Sequence, residues 1–503
     1  MIYLKANSEE YNYDVRAITL AFFERETIRP LDMPLTQIAE REDGSDRVML
    51  MTIDYGQGRI DGSISELIID PDAPDREKNT VRKDKTVSRQ VVCDYLDHGK
   101  NRNKVCRFLY SLLSDFTGRT LPWGMLTGIR PSKIMMAWLE EESDPRVLDE
   151  RFCRTYLADS QKAALCRNVA QREKEILSGH NYQSEYSIYI GIPFCPTTCL
   201  YCSFTSFPAS RFGDRMGPYL DALEKELTYV ASAMGDRPIS SIYIGGGTPT
   251  ALSADHLKRL MDMVHASFPV SSVAEFTVEA GRPDSVNKEK FAILRKAGVS
   301  RISINPQTMH QETLDLIGRA HTVEDTVNAF CLAREEGFDN INMDIITGLP
   351  GEGLTHIRQT LEKIRNLRPE SLTVHSLAIK RAANLNIEME KYRSLVKGST
   401  NEMLRLVDET ASDMEMRPYY MYRQKNIPGN LENIGYAVPG RECLYNILMM
   451  EEKQDIISCG AGASSKYLFP RENRIERTEN VKNLDHYIRR IDEMIDRKRA
   501  YLS

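Results

Sequence analysis

Tyr186-Ser-Ile-Tyr189-Ile-Gly191-Ile-Pro-Phe194-Cys195-Pro-Thr-Thr-Cys199-Leu-Tyr-Cys202 is the stretch on which the reading of this chain turns. Its first seven residues, Tyr186–Ile192, are short, largely apolar and followed by a proline, which is the signature of a buried strand running into a loop. Three of the chain's ten cysteines then fall within eight positions. The other seven (Cys93, Cys106, Cys153, Cys166, Cys331, Cys443 and Cys459) are scattered singly and read as small core residues in a reducing compartment. Thiolates spaced by three and then two residues can wrap a compact loop around three corners of a cubane. The fourth iron is then open to a ligand's amine and carboxylate. The alternatives are zinc, which usually takes four ligands, and three ordinary buried cysteines. No Cys or His pair with zinc spacing stands nearby.

Working outward, the same strand-then-loop signal recurs at Ser240–Ile244, Glu275–Glu279, Arg301–Asn305, Asn340–Ile346 and Ser371–Leu377. Segments with helical spacing of apolar residues lie between them, at Tyr219–Met234, His256–Phe268, Lys288–Ala297, Val323–Glu336 and Leu354–Leu367. Strands separated by helices need crossover connections and therefore a parallel sheet. The expected fold is α/β, a partial, TIM-like (β/α)6 barrel, whose working residues belong in loops at the C-terminal ends of the strands. Residues 1–180 read as a separate α+β domain, with a hairpin at Val48–Tyr55 and Gly58–Leu67 and helices at Asn101–Phe116 and Ser160–Ser178. Residues 181–380 form the barrel. Residues 381–503 read as a mixed extension: helices at Asn386–Lys397 and Asn401–Met416, strands at Tyr419–Tyr422 and Asp455–Cys459, and a charged terminal helix.

Composition narrows the partners. With 66 Lys and Arg against 72 Asp and Glu, the net charge of -6 gives no bulk attraction to nucleic acid. The basic stretches Arg82–Lys85 and Lys100–Arg107 read as solvated faces. No apolar run approaches the ~20 residues of a membrane span, and the first residues lack a signal-peptide pattern. A cytoplasmic protein with no membrane partner is expected.

The strand ends carry chemistry in order. After the second comes Gly245-Gly246-Gly247-Thr248-Pro249-Thr250, where a ligand can lie against backbone amides with no side chain in the way, unless the stretch is only a turn. The third ends at Glu279, whose carboxylate either pairs with an ammonium or faces water. The fourth runs Arg301-Ile-Ser-Ile-Asn305-Pro-Gln307. Beyond it, Ile317-Gly318-Arg319-Ala-His321 offers a guanidinium suited to a carboxylate, or to a surface salt bridge. Asn342-Met-Asp344-Ile-Ile-Thr-Gly348-Leu-Pro-Gly351 ends the fifth. Lys380, Arg381, Arg423 and Lys425 form a cationic group that either holds several carboxylates or decorates the surface.

Taken together, these motifs resemble the radical S-adenosylmethionine (SAM) superfamily. Tyr189-Ile-Gly-Ile-Pro-Phe-Cys195 narrows the resemblance to the HemN family of oxygen-independent coproporphyrinogen III oxidases. Within that family the chain is most similar to the HemZ branch. Leu121–Lys133, His375-Ser-Leu-Ala-Ile-Lys380-Arg381, Tyr419–Asn426, Gly435-Tyr436-Ala and Gly460–Ser465 carry that finer likeness. The resemblance implies a [4Fe–4S] cluster on Cys195, Cys199 and Cys202. It implies SAM bound by Tyr189, Gly246, Gly247, Thr248, Glu279, Gln307, Arg319 and Asp344, with backbone near Ile346 and Ala378 serving a second SAM molecule. It implies reduced flavodoxin or ferredoxin as electron donor and a porphyrinogen or haem as substrate, covered by the C-terminal region. The implied reaction converts two propionates of coproporphyrinogen III to vinyl groups, giving protoporphyrinogen IX. A haem-binding chaperone resembling HemW and a haem-modifying radical methyltransferase are the rivals, and no catalytic side chain is assigned. The chain departs from HemN proper at Phe204, where that family has a further Cys, at Gly191, where it has His, and at Asn305-Pro306, where it has Gly-Val.

Overall fold

The computed structural model describes residues 1–23, 26–32, 47–69, 81–94, 96–128, 130–424 and 427–502. The chain divides into two compact units, one of residues 1–131, 140–165 and 423–431, the other of residues 132–139, 166–422 and 432–503.

The first unit is built on a five-stranded sheet. Its strands are β1 (Ile2–Ala6), β2 (Ile28–Pro30), β3 (Arg47–Gly56), β4 (Arg59–Ile69) and β5 (Val81–Val92), in the order β2-β1-β3-β4-β5. β3 and β4 make the expected hairpin, pairing Tyr55 with Ile60 and Val48 with Leu67. Helices α1 (Asn12–Phe22) and α2 (His98–Thr117) pack their apolar faces into one core with the sheet, where Ile18, Phe22, Ile60, Ile64, Leu109 and Leu113 are all buried. Arg423 also belongs to this unit. It lies 5.3 Å over the Trp123 ring and donates to the carbonyls of Leu126 (2.8 Å) and Gly128 (3.3 Å). Being 3% exposed, it is a structural tether and not part of the expected cationic group. Lys425 of that group, with Asn426 and Ile129, lies outside the described residues.

The second unit holds the six expected strands as β6 (Tyr186–Ile192), β7 (Ile239–Gly246), β8 (Glu275–Glu279), β9 (Arg301–Ser303), β10 (Ile341–Thr347) and β11 (Ser371–Ser376). They are adjacent in chain order and all parallel. Near-continuous apolar runs such as that of β6 arise because such strands are covered on both faces. The crossovers are α3 (Met216–Met234), α4 (Ala254–Ser267), α5 (Lys288–Lys296), α6 (Val323–Glu335) and α7 (Leu354–Leu367). Ser253, Asn287 and Thr322 each accept a backbone N–H at the start of α4, α5 and α6, which fixes where those helices begin.

Two expectations need correction. The fourth strand stops at Ser303 and not at Asn305, because Pro306 has no N–H to donate and Gln307 sits at φ +65°. Asn386–Lys397 is not one helix. It consists of two single turns, Asn384–Ile387 and Met389–Tyr392.

Further strands extend the sheet at both edges. β12 (Arg417–Arg423) and β13 (Glu432–Ala437) lie beyond β11, while β14 (Asp455–Cys459), β15 (Ser464–Phe469) and β16 (Arg474–Glu479) lie beyond β6. Beneath the strands, the helix Leu444–Glu451 is received at its N-terminus by the Glu275 carboxylate, which accepts from Leu444 N at 2.6 Å. That carboxylate complements the positive end of the helix and one of its unpaired amides. The Tyr445 ring then stacks on Tyr243 at 4.6 Å. No helix among the described residues is long and apolar enough to cross a membrane.

Candidate cofactor site at the strand ends

The cysteine loop leaves β6 and is stitched to its neighbours by backbone bonds. Gly247 N donates to Ile192 O at 2.8 Å, Thr248 N to Phe194 O at 2.7 Å, and Leu200 N to Ile317 O at 2.9 Å. Cys195 Sγ lies 3.5 Å from Thr248 Oγ1. Gly246 adopts φ +109°, open only to glycine without strain. A Cβ on Gly247 would stand 2.6 Å from Phe194 O and 3.0 Å from Cys195 Sγ, so the two segments approach this closely only because no side chain intervenes. Burial pushes the Cys195 thiol up to about 11 and raises that of Cys202, before any cationic partner is bound. Of the scattered cysteines, Cys93, Cys106, Cys166, Cys443 and Cys459 are buried as expected. Cys153 is half-buried and Cys331 is exposed, so neither is a core residue.

The remaining predicted residues surround this loop. The Tyr189 ring lies near-parallel to those of Tyr243 and Tyr445, its centre 6.2 Å from each. Tyr243 donates to Glu279 Oε1 at 2.7 Å. Burial raises the Glu279 carboxyl to about 7 despite that bond, and the nearby Asp344 pushes the same way. Asp344 is half-buried, yet the His375 imidazole and the amide of Asn342 (2.6 Å) hold its carboxyl below the usual range. Gln307 is fixed by its backbone, N to Asp344 O and O from Ile346 N, both at 2.9 Å. Arg319 is buried and donates through Nη2 to Gly281 O (2.8 Å) and Asn305 O (2.7 Å), with Nη1 facing Tyr201 Oη at 3.3 Å.

Four buried polar atoms here have no partner among the described residues: Ser303 Oγ, Asn305 Oδ1, Gln307 Oε1 and Arg319 Nε. Buried polar atoms in native proteins are nearly always paired, so a cluster of exceptions marks groups waiting for a ligand. Orphaned donors and acceptors, a glycine cradle against Cys195 and a carboxyl at Glu279 together suit a bound amino acid moiety beside a cluster. The residues present fit both groups.

Two residues were missed by sequence reasoning, Arg282 and Asp284. Arg282 donates to Thr197 Oγ1 (3.1 Å) and Thr197 O (3.3 Å) and points Nη1 at Cys199 Sγ (3.6 Å). Its available signal was the unusual Gly281-Arg282-Pro283-Asp284, separated from Glu279 by Ala280 alone.

A parallel strand-helix sheet with a three-cysteine loop after its first strand defines the class, and comparison with known proteins agrees. The sequence pattern of the Radical SAM superfamily matches residues 189–364. The chain is 40% identical over 405 residues to the oxygen-independent coproporphyrinogen-III oxidase-like protein HemZ of Bacillus subtilis (strain 168), covering 80% of this chain and 81% of that protein. It is 35% identical over 303 residues to the heme chaperone HemW of the same organism, covering 60% and 75%. Among solved structures, coproporphyrinogen III oxidase (HemN) from Escherichia coli superposes with a TM-score of 0.50 at 22% identity, covering 64% of this chain and 73% of that one. The chain belongs to the radical SAM superfamily, among the proteins like the oxygen-independent coproporphyrinogen-III oxidases, and that membership implies a [4Fe–4S] cluster and SAM.

Proposed function

We propose that this protein is a cytoplasmic radical SAM oxidoreductase that decarboxylates two propionates of coproporphyrinogen III to vinyl groups. The observation supporting it above the others is the extent of the HemZ likeness, which covers 80% of the chain against 60% for the HemW protein. Cys195, Cys199 and Cys202 would hold the cluster. Tyr189, Gly246, Gly247, Thr248, Glu279, Gln307, Arg319 and Asp344 would hold SAM. When both are bound and an electron arrives from reduced flavodoxin or ferredoxin, they supply a 5′-deoxyadenosyl radical able to take hydrogen from a propionate β-carbon.

The protein's own part is binding and orientation. Glu279, once ionised, would pair with the ammonium of the amino acid moiety, while Arg319 Nε and the Gln307 carboxamide oxygen would supply polar contacts that the described residues leave unmet. The glycine cradle, which lets Gly247 lie against Cys195, would admit the ligand there without side-chain interference. Lys380 and Arg381, partly or fully exposed, remain available to propionates, whereas Arg423 does not.

A second reading, a haem-binding chaperone, is favoured by the identity to HemW proteins. Anaerobic incubation of reconstituted protein with SAM, a strong reductant and coproporphyrinogen III separates the two by mass spectrometry. Loss of two CO2 with formation of 5′-deoxyadenosine supports the decarboxylase. Tight stoichiometric haem binding in a parallel titration with haem, without substrate-dependent SAM cleavage in the incubation, supports the chaperone.

A further inference from the structure

The geometry points to Arg282 as a positioning residue that sets the reduction potential of the cluster through the Cys199 sulfur. It is 3% exposed, and its guanidinium is oriented from behind by Asp284 in a two-point contact, Nε to Oδ1 at 2.9 Å and Nη2 to Oδ2 at 2.8 Å. His321, fully buried, closes the far side with Nδ1 3.7 Å from Asp284 Oδ1. With its rear edge fixed, the front edge of the guanidinium faces the cysteine loop. Nη1 lies 3.6 Å from Cys199 Sγ and 3.3 Å from Thr197 O, and Nη2 lies 3.1 Å from Thr197 Oγ1. Arg319 also faces Cys199 Sγ, but at 3.9 Å and with its other nitrogen committed to two backbone carbonyls.

The physical consequence follows from charge. One-electron reduction adds negative charge to a cluster and its thiolates, so a buried cation beside a ligand sulfur stabilises the reduced state and raises the potential. Burial strengthens the effect because little water screens it. Asp284 holds the charge in place, as outer partners of metal ligands generally do. A plain structural role, pinning the loop through Thr197, would act on cluster retention and leave the potential alone.

The proposal rests on the cluster assignment to Cys195, Cys199 and Cys202 but not on the choice of substrate. Failure to bind iron and sulfide in the wild-type chain would break that assignment itself and not the role of Arg282 alone. The test is an EPR-monitored redox titration of the full-length reconstituted protein, with iron and sulfide counted per chain. Arg282→Gln and Arg282→Met should lower the midpoint, by about 59 mV for each tenfold loss in the one-electron reduction equilibrium. Thr197→Val, which removes one anchor of the loop but not the charge, should stay at the wild-type potential. Arg282→Lys, with its charge on a shorter arm, should fall between wild type and the neutral variants. A neutral variant that keeps its cluster at the wild-type potential overturns the proposal. Should neither neutral variant load, a Lys variant indistinguishable from wild type overturns it equally.

Discussion

Two sets of buried charges in the second unit invite comparison, one around Glu226 and one around Cys199. Glu226, on α3, is wholly buried, and both its oxygens are occupied. Oε1 accepts from Lys498 Nζ (2.7 Å) and Asn480 Nδ2 (2.8 Å), and Oε2 accepts from Tyr487 Oη (2.6 Å) and Gly460 N (2.8 Å). Lys498 in turn reaches Asn480 Oδ1 at 2.9 Å. This network ties the C-terminal helix Ile491–Leu502 to the loop after β14, beside the strand that leads into the cysteines. Around Cys199 the burial is similar but the pairing is not. Ser303, Asn305, Gln307 and Arg319 each retain a polar atom without a partner among the described residues. A protein spends burial on satisfied polar and charged groups to fix its shape, and leaves polar atoms unsatisfied where a ligand is to complete them.

The largest expected effect lies on the ligand side. Cys199→Ala should reduce SAM cleavage to background and lower iron per chain, while circular dichroism and the melting temperature of the cluster-free protein stay near wild type. A fall in both together would show that the loop belongs to the scaffold.

On the scaffold side, Lys498→Met removes one partner of a fully buried ion pair and leaves Glu226 uncompensated, for a loss of about 3–5 kcal/mol in denaturant unfolding. Iron content of the surviving folded fraction should not change. Proportional loss of iron would mean that the two networks are one.

A third change probes the border between them. Gly247→Ala places a methyl group 2.6 Å from Phe194 O and 3.0 Å from Cys195 Sγ. Because the nearest atom is backbone, the strand end must shift, at about 1–3 kcal/mol by analogy with overpacking. Iron content and stability should fall in the same variant, unlike either of the others.

Much of this contrast was legible in the sequence, and the reason for the rest is geometric. β8 and α7 were read to the residue because apolar periodicity and flanking Gly, Pro or Asn coincide at their ends. The hairpin of β15 and β16 went unread because the second strand, Arg-Ile-Glu-Arg-Thr-Glu, is mostly polar and lies at a sheet edge with little burial. β13 is buried at every position, yet Glu432, Asn433 and Gly435 conceal it, their polarity being answered only by tertiary partners such as Ser376. At the site, residues carried by a motif were found. Arg282 was not, since its meaning lies in Thr197 and Cys199, more than eighty residues away along the chain.

The smallest predicted effect is also the one that links the two kinds of site, because Glu279 is both a half-buried acid and a proposed ligand group. Burial raises its carboxyl from 4.5 to about 7, so between those pH values the folded chain keeps a proton that the unfolded chain has released. Unfolding then releases that proton, and the stability of the ligand-free protein falls as pH rises from about 4.5 to about 7. Ligand binding has the opposite slope. An ammonium needs the ionised carboxylate, so affinity for SAM should rise with pH up to about 7 and drop by about tenfold, or ~1.4 kcal/mol, for each unit below it. Glu279→Gln should flatten both curves, the first by calorimetric melting and the second by equilibrium binding of SAM to the reconstituted protein. Opposite slopes that vanish together identify Glu279 as an acid kept protonated by the fold until a cation claims it. A binding curve that keeps its pH dependence in the Gln variant would place the ammonium on another carboxylate, with Asp344 the next to change.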